Sequence, residues 1–398
     1  MIINLPNTTT RDISKRLVTV RESGGEVTTG RVLTLIIVAS INDDYETFIT
    51  AANEASQEHP SRILVLLTDD SSSTASQSDT DENGNSQTEL ADYEHLEEFE
   101  RALDEMPSTA QPETSDGEAS QPNATDDVTS SGRVDAEIRM GGDAGAAEVV
   151  VMKLYGAVSQ HLASVVMPIL LPDTPIVAWW PASRPPVPAT DPIGRLAGRR
   201  ITDSLSSSIE DGIFRCRSSY APGDSDLAWS RITQWRGILA SALDQPPFSP
   251  IRGVTIAGPS EDPSVDIAGG WLADRLGMNV TRESTDSPKV PLDSEGRPTI
   301  GVQSVTIHRD SGDLILRTFS AHTLTITREG SGRESRVALT RRGTADCLAE
   351  ELRHLDPDVI YAQALRGLSR VHRVDAFDSD ESHAPDGADD SDAETDRE

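Results

Sequence analysis

The chain has 398 residues, length for two domains of ordinary size, with only 4% aromatic side chains and a formal net charge of −31. The acidity is local: residues 71–133 carry 16 acidic and 2 basic groups and residues 375–398 carry 11 and 1, while the other 311 residues hold 39 and 32. No basic stripe is left to neutralise phosphates, which argues against nucleic acid and anionic membranes as partners, and no apolar run approaches a membrane span or a signal peptide, so the expected location is cytoplasmic.

Near the start, Gly30–Ser40 (GRVLTLIIVAS) is a continuous apolar run of the kind a strand shows when both its faces are buried. The next stretch predicts a helix with Asp43 or Asp44 as N-cap and a stripe of Tyr45, Phe48, Ile49 and Ala52, stopped by Pro60. Arg62–Asp69 (RILVLLTD) is a second apolar strand, which completes a β-α-β unit with a parallel pair and a right-handed crossover. Residues 71–133 are too polar to bury a core and read as a disordered acidic insertion, with a short amphipathic segment at Leu90–Met106.

Order is expected to resume at Arg133–Met140, a half-buried strand, followed by a glycine-rich connector and a further strand at Val149–Gly156. Residues 157–170 read as a helix leading to the strand PIVAWW, and residues 191–204 as a short helix with Asp191 as N-cap and Pro192 in its first position. The segment beginning GDSDLAWSRITQW predicts a long helix with Ala228, Ile232, Trp235, Leu239 and Ala242 as its core stripe and Pro246 at its end. From about residue 250, GVTIAG and the helix SVDIAGGWLADRLGM continue in α/β style. Period-two runs split by RDSGD and EGSGRE then predict an antiparallel meander, and a helix with Thr344 as N-cap closes the domain.

The resulting fold class is α/β. An N-terminal β-α-β layered domain with a mixed sheet is expected over 1–250, a smaller C-terminal α/β domain with the meander over 251–374, and a disordered acidic tail over 375–398.

Residues that could carry chemistry are sparse. Arg139–Glu148 (RMGGDAGAAE) lacks both phosphate-loop spacings, so a connector between strands is the better reading. Eight histidines are scattered without a metal-binding pair, and the two cysteines, Cys216 and Cys347, build neither a disulfide framework nor a zinc site. No G-x-S-x-G elbow is present, so no catalytic, metal or cofactor residues are assigned. Arg199 with Arg200, and Arg231 with Arg236, could clamp a sugar phosphate, but with 32 arginines against three lysines (Lys15, Lys153, Lys289) an arginine is weak evidence for a special role.

Several long segments (LPNTTTRDISKRL, ANEASQEHPSRILVL, AEIRMGGDAGAAEVVVMKLYG, PDTPIVAWWP, RRITDS and DLAWSRITQWRGILASALDQPPF) resemble the glucose-6-phosphate dehydrogenase assembly proteins called OpcA, over about 1–68 and 134–370. The resemblance implies a non-catalytic assembly factor and allosteric activator that binds glucose-6-phosphate dehydrogenase and supports the oxidative pentose phosphate pathway. The alternative reading is a sugar-phosphate-binding enzyme or sensor using the arginines in an α/β cleft.

Within this frame the adjacent Trp179 and Trp180 are informative, because neighbours on a strand point to opposite faces. One reading sends Trp179 inward beside Val177 and leaves Trp180, with Pro181, as an exposed anchor for the enzyme; the other buries both rings between layers. On the first reading the expected partner surface comprises Trp179, Trp180, Pro181, Arg199, Arg200, Trp229, Arg231 and Arg236.

Overall fold

Leu33–Ser40 (β2) is the strand around which the first layer is built, and its apolar side chains are covered on both faces. Tyr45–Ala55 (α2) follows it and leads to Ser61–Thr68 (β3), which runs parallel to β2 from Leu33↔Ser61 to Ser40↔Thr68. The computed structural model describes residues 1–24, 33–69, 132–140, 148–207, 212–285, 292, 299–330 and 334–374. Of the disordered insertion expected over 71–133, residues 71–131 lie outside the described residues, as do the glycine-rich connector at 141–147 and the acidic tail at 375–398, whereas Arg133 at its end is the first residue of a strand.

The β-α-β unit seeds an eight-stranded sheet in the order β1 (Ile2–Leu5), β4 (Arg133–Met140), β5 (Glu148–Tyr155), β3, β2, β6 (Ile176–Trp180), β7 (Arg199–Thr202), β8 (Asp224–Asp226). The strands from β5 to β8 are parallel, and β4 and β1 close one edge antiparallel. Strand alternation sorts the side chains into two cores. Leu35, Ile37, Val65, Val177 and Trp179 pack with α2 and with Thr344–Arg353 (α8), whereas Ile36, Leu64, Met152, Ala178 and Trp180 pack with Thr10–Gly24 (α1) and Leu162–Val166 (α3).

A seven-stranded sheet follows in the order β14 (Glu334–Ala338), β13 (Thr323–Arg328), β12 (Leu314–Ser320), β11 (Ser304–Arg309), β9 (Ile251–Pro259), β10 (Val280–Thr285), β15 (Val371–Val374). Its β11–β14 portion is the antiparallel meander expected from RDSGD and EGSGRE, and β9, β10 and β15 are parallel. One face is packed by Gly212–Ser218 (α4), Leu227–Arg231 (α5), Thr233–Leu243 (α6), Pro263–Leu276 (α7) and Val359–Gly367 (α9). α7 and α9 touch backbone to backbone: a Cβ on Gly270 would lie 2.3 Å from the Ala364 carbonyl oxygen, and one on Gly367 would lie 1.9 Å from that of Gly270. Only glycine permits that approach.

The chain does not leave the first layer after β8. α8 comes after the meander, yet its Cys347, Leu348 and Leu352 belong to the core of the first sheet, beside Ile37 and Trp179.

Three expectations need correction. Residues 157–170 form short pieces, a 3-10 turn at Gly156–Gln160, α3, and another at Met167–Ile169, because β-branched Val158, Val165 and Val166 and then Pro168 deny the run a continuous helix. At 191–204 Asp191 does cap the start, accepting from the Ile193 N–H at 2.8 Å, but Gly194 and Gly198 end the turn and Arg199–Thr202 becomes strand β7. The long helix is broken at Ile232 into α5 and α6, although its predicted stripe is buried throughout.

Candidate functional site

The order of the first sheet reverses between β2 and β6, and an open parallel sheet presents its ligand crevice at such a point, beyond the C-terminal ends of the strands. Here that place is closed by the chain's own groups. The loop Ser40-Ile41-Asn42-Asp43-Asp44 contains no glycine, and the Asp43 carboxylate accepts from the Ser40 N–H at 2.9 Å. Asp44 precedes α2 and Glu46 sits in its first turn, so the helix end that could hold a phosphate meets carboxylates instead. Glu46 pairs with both Arg139 Nη atoms at 2.7 Å, and the hydrogen bond to that guanidinium draws its pKa below the ordinary carboxylate value.

Beyond β7 and β8 the same closure is made by ion pairs. Asp226, fully buried, accepts from Thr202 Oγ1 at 2.6 Å, Ser204 Oγ at 2.7 Å, the Ser204 N–H at 3.0 Å and the Ala228 N–H at 2.9 Å, which also starts α5. Asp203 receives both Arg231 Nη atoms at 2.7 Å. Arg199 donates to Glu351 on α8 at 2.5 Å and to the Asp356 carbonyl at 3.1 Å, while Ser230 donates to the other oxygen of Glu351. Arg200 is divided among Asp224, the Ala197 carbonyl at 3.0 Å and the Pro222 carbonyl at 2.5 Å.

Arg199, Arg200 and Arg231, three of the four arginines of the alternative phosphate-clamp reading, are therefore already engaged by carboxylates, and the fourth, Arg236, donates to Thr233 Oγ1 at 2.8 Å. A cavity of about 10 Å³ beside them, lined in part by Arg184, Arg200, Cys216, Tyr220 and Tyr361, has room for about one water and none for a sugar phosphate. Burial, first, and the nearby Asp226 carboxylate push the Cys216 thiol up to about 12, and burial pushes Cys347 to about 11, so neither is an activated nucleophile. Among the described residues no group of three His, Cys, Asp or Glu side chains could hold a metal ion.

The expected partner surface also lies in the interior. Trp179 does face inward with Val177, edge-on to Phe48 at 6.0 Å, but Trp180 is not exposed: it is 2% accessible, in the core on the opposite side of the sheet. Strand alternation is obeyed and both faces are covered, so two adjacent large rings fill two different cores. Pro181, Arg199, Arg200 and Arg231 are buried as well. Trp229 is buried with its ring beneath the Arg236 guanidinium at 3.4 Å, and its indole N–H donates to Asp358 at 2.8 Å, so it anchors the start of α9. Arg236 is half-buried over that ring.

The open site lies elsewhere, on the outer side of α6. There a groove of about 660 Å³ runs between Gln234, Gly237, Ile238, Ser241 and Gln245 on or just after the helix and Ile326, Arg328, Ser335, Val337 and Ala338 on β13 and β14. Its lining has no carboxylate, imidazole, thiol, phenol or amine, so it offers shape and hydrogen bonds rather than acid–base chemistry. The signal available in the sequence was the helix face opposite the buried stripe, with small and neutral Gly237 and Ser241 where a solvent-facing helix usually carries charge.

Among solved structures the chain is similar in outline to KijD10, a 3-ketoreductase from Actinomadura kijaniata, at TM-score 0.36 and 9% identity over 86% of this chain and 99% of that one. It is also similar to a Gfo/Idh/MocA family oxidoreductase from Vibrio cholerae, at TM-score 0.33 and 11% identity over 84% and 94%. Both likenesses are too distant to carry a functional argument. No curated protein matches the chain. Two family models match in tandem: the glucose-6-phosphate dehydrogenase subunit N-terminal domain over residues 52–218 and the C-terminal domain of the same subunit over 222–365. The chain belongs to the OpcA family of glucose-6-phosphate dehydrogenase subunits.

Proposed function

We propose that this chain is a non-catalytic cytoplasmic subunit that binds glucose-6-phosphate dehydrogenase, assists its assembly and activates it allosterically, so supporting the oxidative pentose phosphate pathway. The observation that carries this reading is the tandem match of both subunit domains over 52–365. The closed switch point supports it: carboxylates stand where a dinucleotide's phosphates would bind, and the nearby arginines are engaged by carboxylates and carbonyls. No helix among the described residues is long and apolar enough to cross a membrane. The test is co-elution of the purified chain with the dehydrogenase, followed by the enzyme's kinetics over a range of glucose 6-phosphate with and without excess partner. Co-elution with a change in apparent substrate affinity or maximal rate is expected. Separate elution with unchanged kinetics would sink the reading, and dehydrogenase activity of the chain alone would contradict the non-catalytic role.

A further inference from the structure

The boundary between the two matched family domains, at residues 218–222, is not a boundary of the fold. β8 and α8 both lie in the C-terminal match, yet β8 is the last strand of the first sheet and α8 roofs that sheet. The chain reaches α8 only after it has built the meander of the second sheet. α9, which follows, packs in the second layer again through Tyr361, Ala364 and Leu365. One helix of the C-terminal domain is thus set into the core of the N-terminal one.

That helix is held from both sides. Cys347, Leu348 and Leu352, at most 2% exposed, fill the first-sheet core with Ile37, Val65 and Trp179. Glu351, 4% exposed, gives one carboxylate oxygen to each layer: Oε2 accepts from Arg199 of β7 at 2.5 Å and Oε1 accepts from Ser230 of α5. Glu350 accepts from Thr233 of α6 at 2.6 Å and from Arg342, whose guanidinium also donates to the Ser230 carbonyl at 3.0 Å. α5 is divided in the same way, with Leu227 in the first-sheet core and Ala228 and Trp229 in the core of the second layer. Lifting α8 away would therefore uncover apolar surface on the first sheet and strand the buried Arg199 guanidinium, while it also released α5 and α6.

We propose that α8 is a strap that locks the two layers into one cooperative unit, so that neither layer opens without the other. The core of the first sheet is completed only when residues 344–353 arrive from the other domain. Domains joined by a linker open separately, each with its own free energy. Here a single free energy governs both.

The test follows amide hydrogen exchange of the full chain by mass spectrometry in increasing urea, comparing peptides that cover β3 in the first sheet and β12 in the second. In the unaltered chain both strands are expected to lose protection with the same free energy and the same dependence on urea. Leu348→Ala cuts only the first-sheet core. It should speed exchange of β3 by about 30-fold or more, about 2 kcal/mol at 1.4 kcal/mol per tenfold, and that of β12 by the same factor. Leu324→Ala, in the core of the second layer, should likewise speed both strands by a common factor. If Leu348→Ala speeds β3 and leaves β12 unchanged, the layers open independently and the strap is refuted. Should that variant fail to fold, the unaltered chain decides alone: loss of protection in β3 and β12 at different urea concentrations overturns the proposal, and coincident loss upholds it.

Discussion

The crevice at the switch point of the first sheet, between central strands, and the groove beside the edge strand of the second are built in opposite ways. At the ends of β7 and β8 charged groups are paired within the chain: Arg199 with Glu351, Arg200 with Asp224, Arg231 with Asp203, and Asp226 with four close donors. The groove has Arg328 as its one ionised lining residue, and among the described residues only β13 pairs with the strand at its border. A site dense in arginine and tryptophan looks like a recognition surface in a sequence, but here those residues fasten one layer to another. The quieter site, lined by neutral side chains such as Gln234, Ser241, Gln245 and Ser335, is open among the described residues.

The largest expected effects come from breaking the fastened region. Glu351→Ala leaves the Arg199 guanidinium buried without its carboxylate, and loss of one member of such a pair costs about 3 to 5 kcal/mol. Urea unfolding should show that loss, and the volume-conserving double change Arg199→Met with Glu351→Leu should recover most of it. Trp179→Ala and Trp180→Ala should each cost about 3 to 5 kcal/mol, because each ring fills a separate core. A large loss for one and none for the other would show that one side of the sheet is open after all.

A smaller loss is expected at the start of α9. Asp358 accepts from the Ile360 and Tyr361 N–H groups at 2.8 and 3.0 Å and from the Trp229 indole at 2.8 Å. Asp358→Ala removes a cap and orphans a buried donor, about 2 to 3 kcal/mol together, while Asp358→Asn should keep most of the cap.

The thiols give a pH test of the same burial. Their folded pKa values lie above the ordinary 9.0, at about 12 for Cys216 and about 11 for Cys347, so the fold favours the protonated forms. That contribution is complete below the unfolded pKa and is lost as pH rises from about 9 through 11 and 12. The unaltered chain should therefore lose more stability between pH 8.5 and pH 10.5, about two units, than Cys216→Ala/Cys347→Ala does. At pH 8 iodoacetamide should label neither cysteine until the chain is unfolded.

Much of the architecture was readable from periodicity. The runs at β2, β3 and β5, the stripe of α5 and α6, and the meander are places where burial pattern and turn residues agree. β7 and β8 were not, because RRIT and DSD are polar and their burial is bought by partners far along the chain, such as Glu351 for Arg199. The same cause hid the true environment of the arginines and of Trp180: alternation says that neighbours diverge, but not that both sides are roofed. The open groove was only half legible: the neutral outer face of α6 could be read from the helical stripe, but nothing in the sequence of β14 marks it as the other wall.

The smallest prediction puts this contrast on a single atom. Gly237 lies in the middle of α6, where glycine ordinarily costs about 0.5 to 1 kcal/mol relative to alanine, and no contact in the fold requires its missing side chain. Gly237→Ala should therefore raise stability by about that amount, visible as a small upward shift of the melting temperature. A variant that loses stability would mean that α6 is packed on its outer side, and the distinction between the fastened crevice and the open groove would fail at that helix.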